Sequence, residues 1–67
     1  MILYRFLSAD DDASFCHKVT EALNKGWTLQ GSPSYAYDHA KGIMRCGQAV
    51  VKEAAGTYTP DTKLGDH

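Results

Sequence analysis

Five apolar positions at helical spacing, Phe15, Cys16, Val19, Ala22 and Leu23, run up to Lys25-Gly26 and are followed at once by Trp27 and strand-like alternation. That join commits the chain to a helix feeding directly into a hairpin. Ser14, His17, Lys18, Glu21, Asn24 and Lys25 cover the opposite helical face, so the segment Asp11 to Lys25 reads as amphipathic. Ahead of it, Asp10-Asp11-Asp12 offers side-chain oxygens and negative charge where a helix has unpaired N–H groups, and it is read as a helix start. A calcium loop would need further oxygen ligands and a closing Glu, which Ala13-Ser14-Phe15 does not begin to supply. At the other end Lys25 places a cation in the last turn and Gly26 supplies the left-handed residue that closes a helix.

Strand patterns flank this helix. Ile2, Tyr4 and Phe6 alternate with Leu3, Arg5 and Leu7, the period of two expected of a strand. After the helix, Trp27, Leu29 and Gly31 alternate with Thr28, Gln30 and Ser32 until Pro33, which cannot donate to a ladder and marks an edge strand or a bend into a second segment, Ser34 to Tyr37. Asp38 to Gly42 reads as the hairpin loop, and Ile43 to Lys52 as its partner strand. This last strand is apolar on both sides, Ile43, Ala49 and Val51 against Met44, Cys46 and Val50, as a central strand should be.

The expected fold is therefore α+β, a β-α-β-β chain whose three-stranded antiparallel sheet has the order 2-3-1 with one helix packed on one face. Residues 1–53 form the single compact domain, and residues 54–67 read as a polar, flexible C-terminal tail. A chain of this length buries only about 60% of its unfolded surface, so one small core is its limit and a partner subunit is the natural supplement. With one sheet face uncovered, Leu3, Leu7, Met44 and Val50 are the expected interface, and a homodimer the expected assembly, with a protein partner as a further occupant.

The segments Asp11 to Cys16, Val19 to Trp27, Gly31-Ser32-Pro33 and Met44 to Lys52 resemble a small bacterial and phage family catalogued as domain of unknown function 1737. The resemblance covers roughly residues 2 to 53. It implies a compact strand-helix-strand-strand domain, and it brings no activity, cofactor or catalytic residue with it.

Composition narrows the function classes. Seven basic and eight acidic residues give a net charge of −1 at pH 7, and the basic residues are scattered, so no phosphate-tracking stripe for nucleic acid is expected. No apolar run is long enough to span a membrane and no secretory leader is evident, which with two cysteines points to the reducing cytoplasm. Cys16 and His17 are neighbours on a helix and point about 100° apart, which rules out a thiol-imidazole dyad. Cys16 is expected to pack in the core, and neither a Cys16–Cys46 disulfide nor a zinc site with His39 has the spacing to recommend it. Asp38 and His39 belong to a solvated turn, and neither catalytic residues nor a cofactor are expected.

Two functional readings follow. The first is a non-enzymatic, self-associating protein-interaction module. The second is a binder of a small planar or anionic ligand at a subunit interface, using Trp27, Tyr35, Tyr37, Arg45 and Gln48: the rings would stack on a flat molecule and the Arg45 fork would take a carboxylate or phosphate.

Overall fold

A computed structural model describes residues 1–67. Strand β1 (Ile2–Asp10), helix α1 (Ala13–Asn24), strand β2 (Thr28–Asp38) and strand β3 (Ile43–Glu53) follow in that order, with a short 3₁₀ turn at Leu64–Asp66. The sheet order is β1-β3-β2, and β3 runs antiparallel to both neighbours. The fold thus has the class and strand order that periodicity predicts.

The acidic triplet divides into three separate roles. Asp12 is the N-cap of α1, its Oδ1 accepting from the Ser14 N–H at 2.8 Å and from the Ser14 hydroxyl at 2.5 Å. Both bonds favour the carboxylate and hold the Asp12 pKa below its ordinary range. Asp10 pairs with Arg45 at 2.6 Å, and the Asp11 N–H donates to the Met44 carbonyl at 3.0 Å, tying the start of the helix to β3. At the far end Gly26 adopts φ +96°, its N–H bonds to the Leu23 carbonyl and the Trp27 N–H to the Ala22 carbonyl, both at 3.1 Å. This is the Schellman closure, completed by packing Trp27 and Ala22 into the same core.

The core consists of Leu3, Leu7, Ala22, Trp27 and Val50, with Val19 and Leu64 packed against it. Leu3 and Leu7 therefore lie beneath the helix, together with Val50, and not on the open face where the sequence reading put them. The β1–β3 register pairs Leu3 with Lys52, Arg5 with Val50 and Leu7 with Gln48, which assigns all six to the helix side. Met44, paired with Tyr37, is on that side too and is half-buried beyond the start of the helix. The physical reason is size: the narrow space under Ala22 and Trp27 takes branched aliphatics, whereas the other β1 set, Ile2, Tyr4 and Phe6, is bulkier and carries a polar tip at Tyr4.

The helix contact stripe is also narrower than expected. Phe15, Val19 and Ala22 face the sheet, while Cys16 is exposed on the helix flank and is not a core residue. Leu23 is exposed as well. Positions 16 and 23 each lie one residue, about 100°, round from the contacting Phe15 and Ala22, and a single sheet does not reach that far round the cylinder.

Strand β2 accommodates Pro33 in a bulge. Gln30 pairs with Ala49 and Ser34 with Gly47, so Gly31, Ser32 and Pro33 all stand opposite Gln48. Gly31 takes φ +71° within it. The Gln48 amide fills the gap, its Nε2 donating toward the carbonyls of Ala49 at 2.9 Å and of Gln30 and Gly31 at 3.3 Å each. Beyond the bulge the hairpin continues past the helix to the Asp38 turn, where Asp38 Oδ1 accepts from the Ala40 and Lys41 N–H groups. The overhanging hairpin makes the molecule long, 42 × 23 × 20 Å, with a radius of gyration of 13.3 Å against the ~11 Å of a compact chain of this size.

After Glu53 the chain keeps some order. The Ala54 N–H bonds to the Met1 carbonyl at 2.8 Å, Leu64 rests on the core, and the Lys52 ammonium spans from the Lys25 carbonyl at 2.7 Å to the His67 carbonyl at 2.5 Å. No helix is long and apolar enough to cross a membrane.

Candidate functional site

The sheet face turned away from α1 carries Ile2, Tyr4, Phe6 and Ser8 from β1, Ile43, Arg45, Gly47, Ala49, Val51 and Glu53 from β3, and Thr28, Gln30, Ser34 and Ala36 from β2. No helix lies over it, and Tyr58 of the C-terminal segment approaches only its Ile2–Tyr4 edge. Ile2 is 74% exposed, Tyr4 55% and Phe6 54%, and these three form a ridge along β1. Beside the ridge β3 presents only small or short side chains, Gly47, Ala49 and Val51, so the centre of the face is shallow. The Phe6 ring leans across Gly47, whose missing side chain leaves room for it. Polar groups frame this apolar centre: the Asp10–Arg45 ion pair at one end, Glu53 at the other, and Thr28, Gln30 and Ser34 along β2. An apolar centre with a polar rim is the anatomy of a protein–protein contact.

The five residues read as a ligand set do not converge. Trp27 is only 2% exposed and belongs to the core, with the Arg5 guanidinium 5.6 Å from its ring centroid. Gln48 is buried and committed to the bulge carbonyls. Arg45 is ion-paired to Asp10 on the open face, whereas Tyr35 and Tyr37 project from the helix side of the sheet. Tyr37 meets His39 edge-on, with ring centroids 4.9 Å apart. The bulge inserts two extra residues into β2 and so keeps its parity, with even positions on the open face and odd ones on the helix side throughout, which sets Tyr35 and Tyr37 on the side opposite Arg45.

The exposed ridge of Ile2, Tyr4 and Phe6 is the surface feature that the sequence alone does not single out. Its signal was present in the alternation itself, since Ile2, Tyr4 and Phe6 are the larger of the two β1 sets.

Residues 1–53 match the model of a family described as a domain of unknown function, DUF1737. The chain belongs to that family. The match ends with β3, so the DUF1737 unit comprises the sheet and the helix. No curated protein and no solved structure matches the chain.

Within this DUF1737 domain both cysteines are free thiols. Cys46 is buried beside Asp11, its Sγ 3.7 Å from the carboxylate oxygen, and burial first, then the Asp11 charge, push its pKa up. The thiol is kept protonated and is a poor nucleophile at neutral pH. His, Cys, Asp and Glu side chains do not gather in threes anywhere in the chain at metal-binding range.

Proposed function

We propose that this chain is a small self-associating interaction module that pairs with a second copy through the open face of its sheet. The observation that carries this reading is the exposed ridge of Ile2, Tyr4 and Phe6 beside the shallow Ala49–Val51 strip. A ridge next to a trough is self-complementary: under a two-fold axis that lies between the two stacked sheets and parallel to their strands, the ridge of each copy lies over the trough of the other, as an isologous contact requires. The need for such cover is measurable. The chain exposes 4612 Å², against ~4200 Å² for a compact monomer of its mass, and only 9 of its 67 residues are buried. A stacked sheet doubles the core without lengthening the chain. The two free cysteines support a reducing, cytosolic setting.

A second reading, a flat ligand held at a subunit contact, draws on Tyr35 and Tyr37. Both are exposed on the same side of β2 next to the half-buried Met44. Native mass spectrometry of the purified protein separates the two. A bare dimer supports the interaction module, a dimer with added mass supports the ligand reading, and a monomer at micromolar concentration overturns the open face as a self-contact.

A further inference from the structure

On the opposite side of the sheet, α1 and the edge of β1 border a solvent-open cavity of about 200 Å³ lined by Arg5, Lys18, Glu21, Ala22, Lys25 and Gly65. We propose that this cavity is a binding site for a phosphate group. It gathers three cations and one carboxylate, an excess of two positive charges in a chain whose net charge is −1.

The cations are only partly engaged. Arg5 lies in none of the three ion pairs of the chain and donates no hydrogen bond, yet its guanidinium is held in place over the buried Trp27 ring. It therefore presents a fixed fork whose N–H groups have no protein acceptor, the arrangement that suits a planar pair of phosphate oxygens. Lys18 spends one N–H on the Ser8 carbonyl at 2.9 Å and retains two. Lys25 sits 3.4 Å from Glu21, an exposed pair on the same helix that contributes little and that an incoming dianion can replace. Gly65 closes the rim without a side chain, and nothing stands within 4 Å of where its β-carbon would lie. The walls thus offer a bidentate fork and two point charges to one small tetrahedral anion. A free phosphate and a phosphate ester share this chemistry.

Trp27, the single tryptophan of the chain, reports on the site because Arg5 stacks on it. The test is titration of the intact protein with inorganic phosphate, and in parallel with phosphoserine, at ionic strength held constant with sodium chloride, following Trp27 emission. A saturable change is expected. Arg5→Gln should weaken it about tenfold or more, the loss of a charge-assisted fork, while Arg45→Gln on the opposite face should leave it unchanged. Lys18→Gln, at an exposed position whose one hydrogen bond goes to the Ser8 carbonyl, should weaken binding several-fold, and it keeps the test decisive if Arg5→Gln perturbs the fold by circular dichroism. Tighter binding of phosphoserine marks an esterified phosphate as the ligand, and equal binding marks the free anion. Absence of a saturable response, or equal responses in Lys18→Gln, Arg45→Gln and the unmodified protein, overturns the site.

Discussion

The Phe6 ring lies across Gly47 so closely that a β-carbon on the glycine would stand 2.6 Å from Phe6 Cε2 and 2.8 Å from Ser34 Oγ. Any larger residue at 47 must push the ring off the sheet. Gly47→Ala should cost roughly 1–3 kcal/mol in urea unfolding, and the cost should shrink in a Phe6→Ala background, where the clash is gone. Equal costs in both backgrounds would show that the ring does not occupy this position.

Charge on the ridge should dissolve the proposed self-contact. Phe6→Glu and Tyr4→Lys are expected to shift light-scattering mass to that of a monomer, because a buried unpaired charge is incompatible with an apolar contact. Leu29→Glu, exposed on the helix side, should leave the mass unchanged.

Gln48 acts through the bulge. Gln48→Ala removes the donor from the carbonyls of Gln30, Gly31 and Ala49, and should cost about 1–3 kcal/mol of stability. Hydrogen exchange should rise first at Gly31 and Ser32. A variant as stable and as protected as the original would remove the amide from any structural role.

Asp12 supplies an acid-sensitive cap. Its folded-state pKa is lowered by the Ser14 hydroxyl and N–H, so folding favours the ionised form. That contribution is complete above the unfolded value of ~3.9 and fades as pH falls through the lower folded value. Stability measured by urea unfolding should decline on acidification through and below pH ~4. Asp12→Asn, which caps without titrating, should show a shallower decline over the same range.

The two thiols should separate by reactivity. Iodoacetamide at neutral pH is expected to add once to the folded protein, at exposed Cys16, and twice in denaturant, when the raised Cys46 thiol is released. Peptide mapping that found Cys46 modified first would contradict its burial beside Asp11.

Much of this architecture was written locally. The Asp12 cap, the Lys25-Gly26 closure and the Asp38 turn each involve neighbours in the chain, and strand order followed from β3 being apolar on both sides. What sequence left open was which β1 set the helix covers. Alternation separates Leu3 and Leu7 from Tyr4 and Phe6, but the choice between them depends on how the β1-α1-β2 crossover lands on the sheet, a non-local matter. The same limit explains Trp27 and Gln48. An aromatic residue directly after a helix closure has a packing role whenever the closure turns it inward, and a lone amide in an apolar strand signals carbonyls that need a donor, here those exposed by Gly31-Ser32-Pro33.

The bulge at Gly31–Pro33 bears on how the molecule behaves when crowded. Strand β2 is an eleven-residue edge, long enough to template strand addition by any unfolded neighbour. Its ladder with β3 breaks between Gln30 and Ser34, and Pro33 has no N–H to offer. The break in the ladder works against an incoming strand keeping its register past this point, so the residues that Gln48 clips in place also disfavour strand addition along this edge.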